Sequence, residues 1–465
     1  MRRILLLNPP GTARYLRDHW CSHVAKGRYL WQPYDLLALT GRLYGQADVR
    51  IIDAIAHGLS RTQVLGQALD HDPEAIVLQS GAVSWQEDLA HARELRARLP
   101  RTRIAVTGDI YLTAPRQWLD THPELDAVLL DFTDCDVLGW LQGDPAPRGF
   151  LGRDGPRPGS TTRRRTKDFR IGVPRHEWFS PHAYDLPQAR HHPFASLMTM
   201  VSCPYTCTFC PFERLPSRPR ALDEVLADLD HIRNLGMKEL WLKDQSFGVF
   251  RQHARALLEA MAERDFSWSC ETRPDLVDSE FLEALGRAGC HTLLMGVEAA
   301  DNGILSRARK GYDLATVRQA FERTRKHGMR TLAHLCLGLP GETHETLARV
   351  PALLDELDPD FLSVNLATPM VGTSFRDEAE AAGWIDPSRT MLDSSNSHPA
   401  THLPGCSAEQ LWETRTRLLR QFYLRPGYAL RRATDLHSVH EARTLAREGA
   451  ELVRRGLTGR TQAIV

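Results

Sequence analysis

Cys203-Pro204-Tyr205-Thr206-Cys207-Thr208-Phe209-Cys210 places three thiols at C-x3-C-x2-C spacing, directly after the apolar run ASLMTMVS (195–202). The thiolate is the metal-binding form of cysteine, and three thiolates on one short loop can converge on one face of an iron–sulfur cluster. A [4Fe–4S] cube normally takes four cysteine ligands. Three leave one iron open, and an open position lets a metal centre bind a reactant instead of only bracing a fold. Cluster iron can also take up and pass on one electron, which zinc cannot. A tetrahedral zinc site is the first alternative. It needs a fourth close ligand, and His191 and His192 lie at the far side of the apolar run. Unligated structural cysteines are the second.

The elements that must position this loop are legible as alternating apolar runs and amphipathic stretches. From residue 191 to 375, strand candidates at 195–202, 238–244, 267–272, 291–298, 330–338 and 361–369 alternate with helical segments. Six βα units predict a partial (β/α)6 TIM-type barrel, whose active site lies at the carboxyl ends of its strands. Residues 1–143 show the same rhythm, with runs at 4–8, 49–53, 75–81, 103–109 and 125–131. Near-continuous apolar strands between helices predict an α/β, Rossmann-like doubly wound parallel sheet. Asn8, Asp53, Ser80-Gly81 and Gly108-Asp109 end these strands, where open α/β sheets bind ligands. Residues 144–190 are rich in Pro, Gly and Arg and read as a linker or strap, with Arg163-Arg164-Arg165 as a solvated run. Residues 376–465 read as a C-terminal helical region.

Composition narrows the class. The 465 residues are 42% hydrophobic and 25% charged, which excludes a disordered or fibrous chain. Lys+Arg and Asp+Glu both total 58, so no net field points to nucleic acid or an anionic membrane. The apolar run after Met1-Arg2-Arg3 stops at Asn8-Pro9-Pro10, too short for a signal-peptide core, and no stretch approaches the ~20 residues of a membrane span. A cytoplasmic protein is expected, where a cysteine cluster means metal or redox chemistry.

The C-x3-C-x-φ-C loop after the first strand of a βα barrel resembles the radical S-adenosylmethionine (SAM) superfamily. The resemblance continues through Lys243-Asp244-Gln245-Ser246-Phe247 after the second strand and Glu271-x-Arg273 at the third. It extends to Gly296-Val297-Glu298 with Lys310-Gly311, to Gly338-Leu339-Pro340-Gly341-Glu342-Thr343, and to Pro369-x-x-Gly372-Thr373. It implies that Cys203, Cys207 and Cys210 hold a [4Fe–4S] cluster whose open iron is chelated by SAM. It also implies that Phe209, Asp244, Glu271, Arg273, Glu298, Leu339 and Pro340 line the SAM site. Phe209 would lie beside the adenine, Arg273 would pair with the cofactor carboxylate as a planar fork, and Glu271 or Glu298 would accept from ribose or amine groups. Asp244 stands where the wider superfamily has its amino-group-binding G-G-E motif.

A Rossmann-like domain beginning Leu5-Leu6-Leu7-Asn8-Pro9-Pro10 resembles the cobalamin-binding subclass, which includes class B methyltransferases and anaerobic magnesium-protoporphyrin cyclases. The resemblance implies cobalamin contacts at Asn8, Pro9, Pro10, Ser80, Gly81, Ser84, Gly108 and Asp109. Asp53-Ala54-Ile55-Ala56-His57-Gly58 lacks the D-x-H-x-x-G spacing, so the cobalt is expected to have no lower histidine ligand.

The function expected is reductive cleavage of SAM to a 5′-deoxyadenosyl radical and methylation of an unactivated carbon. The rivals are radical cyclisation or rearrangement, a radical enzyme whose front domain is only a scaffold, and a non-catalytic electron carrier. The expected partners are a small-molecule, lipid or tetrapyrrole substrate, admitted by an apolar barrel interior, and a flavodoxin- or ferredoxin-type electron donor.

Overall fold

A computed structural model describes residues 1–458 apart from Cys21, Lys26, Arg28, Asp154, 156–166, Leu215 and 386–400. The Arg163–Arg165 run lies outside the described residues. The described residues form two compact units, Met1–Tyr184 with Arg218–Leu235, and Asp185–Ser217 with residues 236–458.

The first unit is built on a six-stranded sheet of β1 (Arg2–Asn8), β2 (Ala47–Asp53), β3 (Ala75–Gln79), β4 (Arg103–Thr107), β5 (Ala127–Leu129) and β6 (Phe150–Gly152). Their order is β2-β1-β3-β4-β5-β6. All neighbours are parallel except β5 and β6. Helices α1 (Tyr34–Leu43), α2 (Arg61–His71) and α3 (Trp85–Arg98) intervene. Ile4–Leu7 of β1 and Ile76–Leu78 of β3 are wholly buried, as strands covered on both faces must be. The five sequence-read strands are all present. The sixth comes from the stretch read as a linker, whose Phe150–Gly152 pairs with β5. The order reverses between β1 and β3, and such a switch point opens a crevice at the strand carboxyl ends.

The second unit holds six parallel strands in consecutive order: β7 (Phe194–Leu197), β8 (Glu239–Leu242), β9 (Ser267–Thr272), β10 (Cys290–Glu298), β11 (Arg330–Leu337) and β12 (Phe361–Leu366). Helix α4 (Leu222–Asn234) follows β7 in the chain but belongs to the first unit. Helices α5 (Arg251–Ala262), α6 (Ser279–Arg287), α7 (Leu314–Lys326) and α8 (His344–Leu357) connect the later strands. Six strands leave an open edge, which would expose unpaired backbone groups. Helix α9 (Ala408–Tyr423) satisfies the β12 edge. The Tyr423 hydroxyl accepts from the Leu362 N–H (2.9 Å) and donates to the Leu362 carbonyl (2.7 Å), and Arg415 Nε donates to the Val364 carbonyl (3.1 Å).

Strand register separates the two faces of this barrel sheet. One face, carrying Leu242, Cys270, Leu293, Ala333 and Val364, is buried. Every half-buried strand position falls on the other face, the inner one, and most carry polar side chains: Glu271, His334, Ser363 and Asn365 among them. The apolar interior expected from the sequence is therefore corrected to a mixed one, since Trp241, Leu294, Leu332 and Phe361 share this face. Hydrophobic runs revealed that strands were present, but not which alternate residues turn inward.

Candidate functional site

Strand β7 delivers the cysteine loop through Ser202, which adopts the left-handed conformation (φ 62°) although it is not glycine. Such strain persists where surrounding contacts impose it, and here the Ser202 hydroxyl donates to the Phe212 carbonyl. Two backbone bonds pin the loop: Thr208 N–H to the Ala308 carbonyl (3.2 Å) and Phe375 N–H to the Thr208 carbonyl (2.8 Å). Cys203, Cys207 and Cys210 are free thiols, each partly accessible. Burial pushes the thiols of Cys203 and Cys210 above their ordinary value, proximity to Cys207 adds to this, and Lys310 opposes it. Among the described residues, no three His, Cys, Asp or Glu side chains are drawn tightly around one point. The fit to a cluster therefore rests on the donor set, three free thiols on one loop beside two cations.

The remaining candidates of this unit fall into distinct groups. Phe209 packs against a buried apolar cluster that contains Leu339, Ala299, Ala308 and Phe375. Pro340 is buried beside it. The turn carrying Leu339 and Pro340 is bounded by Gly338 (φ 90°) and Gly341 (φ 95°), conformations that favour glycine. Glu342 holds that turn, accepting from Gly338 N–H (3.4 Å) and Thr346 Oγ1 (2.5 Å); burial raises its carboxyl. Glu298 ends β10 in the left-handed region (φ 64°), at an irregularity in the β10–β11 register. Its Oε1 accepts from Lys310 Nζ (2.9 Å), with both side chains largely buried. Burial alone would lower Lys310, but the Glu298 carboxylate, Tyr312 and Cys207 together outweigh it and keep the ammonium charged. That ammonium lies 5.6 Å from the Phe209 ring and 5.3 Å from the Tyr312 ring.

Arg273 makes its planar fork to Asp275 (Nε–Oδ1 2.9 Å, Nη2–Oδ2 2.9 Å) and donates from Nη2 to the Lys310 carbonyl (2.5 Å). Its guanidinium stacks 3.5 Å above the ring of Tyr205, inside the cysteine loop. Its hydrogen bonds engage Nε and Nη2. Asp244 turns toward β7: it accepts from Thr199 N–H (2.7 Å), Met200 N–H (3.0 Å) and the Thr199 hydroxyl. It thus braces the segment from which the cysteine loop departs. Glu271 is half-buried at the inner end of β9, its carbonyl accepting from Phe247 N–H (2.9 Å). Sequence reading did not single out Tyr205, Tyr312 or Asp275. The two-residue spacing of Asp275 from Arg273 was the one available signal.

In the first unit, the eight front-domain candidates gather at or just beyond the carboxyl ends of β1, β3 and β4. Arg17, which sequence reading missed, ties them together. Its Nη1 donates to Asn8 Oδ1 (2.8 Å) and the Pro9 carbonyl (2.9 Å), its Nε to Ser84 Oγ (3.0 Å), and its Nη2 to Asp88 Oδ1 (2.6 Å). Ser80 and Ser84 hydroxyls each donate to Asp88 Oδ2 at 2.7 Å. Asp109 accepts from Ser22 N–H (2.7 Å) and Ala82 N–H (2.9 Å), holding the turn that contains Gly81. Gly108 (φ 143°) lies so close to Ser80 that a Cβ there would stand 1.9 Å from the Ser80 carbonyl oxygen. A Cβ on Gly81 would stand 2.4 Å from Ser22. All eight front-domain candidates are buried at the strand ends. His57 is exposed at the end of the short helix Ala54–His57. His19 is fully buried, its ring nitrogens facing Thr107 Oγ1 (3.3 Å) and the Leu130 carbonyl (3.2 Å).

Comparison with known proteins places these features among relatives. Residues 197–354 match the Radical SAM superfamily. The chain is 23% identical over 420 residues to "Uncharacterized methyltransferase PH0819" of Pyrococcus horikoshii, spanning 87% of this chain and 90% of that protein. It is 22% identical over 483 residues to cytidylyl-2-hydroxyethylphosphonate methyltransferase of Streptomyces wedmorensis, spanning 91% and 90%. In fold it resembles the radical SAM methyltransferase TsrM of Kitasatospora setae with cobalamin and a [4Fe–4S] cluster bound. That likeness has a TM-score of 0.64 and 16% identity and covers 99% of this chain and all of the other. No helix among the described residues is long and apolar enough to cross a membrane.

Proposed function

Since the chain belongs to the radical S-adenosylmethionine superfamily, we propose that it is a cobalamin-dependent C-methyltransferase acting on an unactivated carbon of a small molecule. The carrying observation is the trio of free thiols after β7, pinned beside the buried Lys310–Glu298 pair at the strand carboxyl ends. The relatives named as methyltransferases along nearly their whole length support methyl transfer over cyclisation or rearrangement.

When bound, the cluster supplies one electron to the SAM sulfonium and cobalamin supplies the methyl group, while the protein binds, orients and excludes water. Cys203, Cys207 and Cys210 would hold the cluster. Phe209, Leu339 and Pro340 offer an apolar wall to the adenine. Glu298, kept in place by Lys310, presents its second carboxylate oxygen to ribose or amine groups. Arg273 would position the cysteine loop through Tyr205 and lend its positive charge to the SAM carboxylate. Asp244 acts through Thr199 and Met200, setting the start of the loop. In the front domain, Asn8, Pro9, Pro10, Ser80, Gly81, Ser84, Gly108 and Asp109 would shape the cobalamin site, and Asp53–Gly58 lacks the spacing that would supply a histidine ligand. An external one-electron donor of flavodoxin or ferredoxin type completes the system.

Anaerobic reconstitution followed by iron, sulfide and cobalamin analysis tests the reading, with trideuteromethyl-labelled SAM as methyl source. About four irons and four sulfides per chain are expected, falling away when all three cysteines become alanine. Stoichiometric zinc without sulfide, or failure to retain cobalamin, would overturn it. Nitrogen splitting in the Co(II) paramagnetic resonance spectrum would overturn the absence of a histidine ligand.

A further inference from the structure

We infer that Tyr312 is a positioning residue of the cysteine loop: its ring holds Arg273 and Lys310 together, and each cation in turn holds one aromatic residue that stands between the thiols. The inference deepens the radical SAM reading above and rests on it.

Rings and cations alternate in this group. The Arg273 guanidinium lies 3.5 Å from the centre of the Tyr205 ring and 5.0 Å from that of Tyr312. The Lys310 ammonium lies 5.3 Å from the Tyr312 ring and 5.6 Å from the Phe209 ring. Each separation falls within the ~6 Å over which an aromatic ring attracts a cation. Tyr205 stands between Cys203 and Cys207, and Phe209 between Cys207 and Cys210. Both halves of the loop are therefore tied to one ring, Tyr312, through different cations. The two backbone bonds that pin the loop both act at Thr208; Tyr205, earlier in the loop, is reached instead by the Arg273 stack.

Like charges drawn together need compensation. Each cation has a carboxylate of its own, Asp275 for Arg273 and Glu298 for Lys310, and Arg273 Nη2 also donates to the Lys310 carbonyl (2.5 Å). The Tyr312 ring adds an attraction common to both. That ring is itself fixed from the strand, since its hydroxyl donates to the Gly296 carbonyl (2.7 Å) at the end of β10. Gly296 has no room for a side chain: a Cβ there would stand 2.4 Å from Glu298 Oε1 and 3.4 Å from Lys310 Nζ. The strand end, the Glu298–Lys310 pair and Tyr312 thus form one packed group against which the loop is held. Three thiols must keep a common spacing to share one cluster, and a loop held at both Tyr205 and Phe209 keeps that spacing better than one held at a single point.

The test compares three anaerobically reconstituted proteins. They are the wild type, Tyr312→Phe, which keeps the ring and loses the hydroxyl, and a protein with pentafluorophenylalanine at the same position, which keeps the shape and reverses the ring's charge distribution. Iron transfer to the chelator bathophenanthroline is followed optically, and the paramagnetic resonance spectrum of the dithionite-reduced cluster is recorded without SAM. Tyr312→Phe is expected to release iron within about twofold of the wild-type rate, and the fluorinated protein about fivefold faster or more, with an altered resonance spectrum. A fluorinated protein no faster than Tyr312→Phe would overturn the inference, because packing alone does not sense the ring's charge. A Tyr312→Phe protein that fails to fold or to load iron would place the contribution in the hydroxyl and overturn it too. Wild-type protein that takes up no iron and sulfide would instead overturn the radical SAM reading, so the two failures are distinguishable.

Discussion

Arg17 and Asp88 form an ion pair whose side chains are both 0% exposed, at the switch point of the front sheet. Removing water from two charges costs several kcal/mol each, so such a pair is tolerated only when its other lone pairs and protons are satisfied. Here they are, by Asn8, Pro9, Ser80 and Ser84. Burial nonetheless raises the Asp88 carboxyl, with Arg17 the strongest opposing influence, which marks the charge as costly to keep. Arg17→Met leaves a buried carboxylate without its counter-charge and should cost about 3–5 kcal/mol; Asp88→Leu should cost a similar amount.

The double variant removes both charges at once. It still forfeits the bonds to Asn8, Pro9, Ser80 and Ser84, each about 0.5–1.5 kcal/mol net. It should therefore cost about 2–6 kcal/mol, less than the roughly 6–10 kcal/mol of the two single variants added together. Native-state hydrogen exchange at the amides of Ile4–Leu7 and Ile76–Leu78 reads the stability of this unit locally. Cobalamin retention should fall in all three variants, because the Asn8-Pro9 turn loses its anchor. Additive losses in the double variant would refute the pairing argument, and full cobalamin retention in a folded double variant would refute the positioning role.

Further outcomes follow from other buried groups. Glu239, buried beside neutral His291 (2.8 Å), is raised to about 8. Its unfolded counterpart loses its proton near pH 4.5, so the folded state binds more protons between these values and stability falls as pH rises. Burial lowers His291 well below its usual value, giving the opposite trend only below about pH 6.5. Between pH 7 and 8 the net slope is therefore negative, at most about 1.4 kcal/mol per pH unit, and Glu239→Gln should flatten it in urea titrations. Gly108→Ala should lower stability by about 2–4 kcal/mol through the clash with Ser80 and the positive φ, measured by the same exchange amides with no cofactor present. Lys310→Met should leave Glu298 as a buried unpaired carboxylate, costing about 3–5 kcal/mol in thermal or urea unfolding and lowering SAM affinity; unchanged stability would refute the pair's buried character.

Local sequence patterns determined which segments are strands, where the three thiols stand, and that the chemistry gathers at strand carboxyl ends. Hydrophobic period, glycine turns and C-x3-C-x2-C spacing each act over a few residues, and adjacent residues carry that information. Tertiary structure alone decided the rest. Arg17 meets Asp88 across 71 residues of chain, and Glu298 meets Lys310 because the chain after β10 folds back over its end. Asp244, placed among cofactor ligands by its motif, spends its carboxylate on Thr199 and Met200. Arg273 turns its fork to Asp275 and its flat face to Tyr205. The mixed lining of the barrel likewise emerges from register, since a one-residue slip would exchange the inner and outer sets of side chains. Whether a buried charge finds its partner depends on the path of the whole backbone, and short-range patterns carry no record of that path.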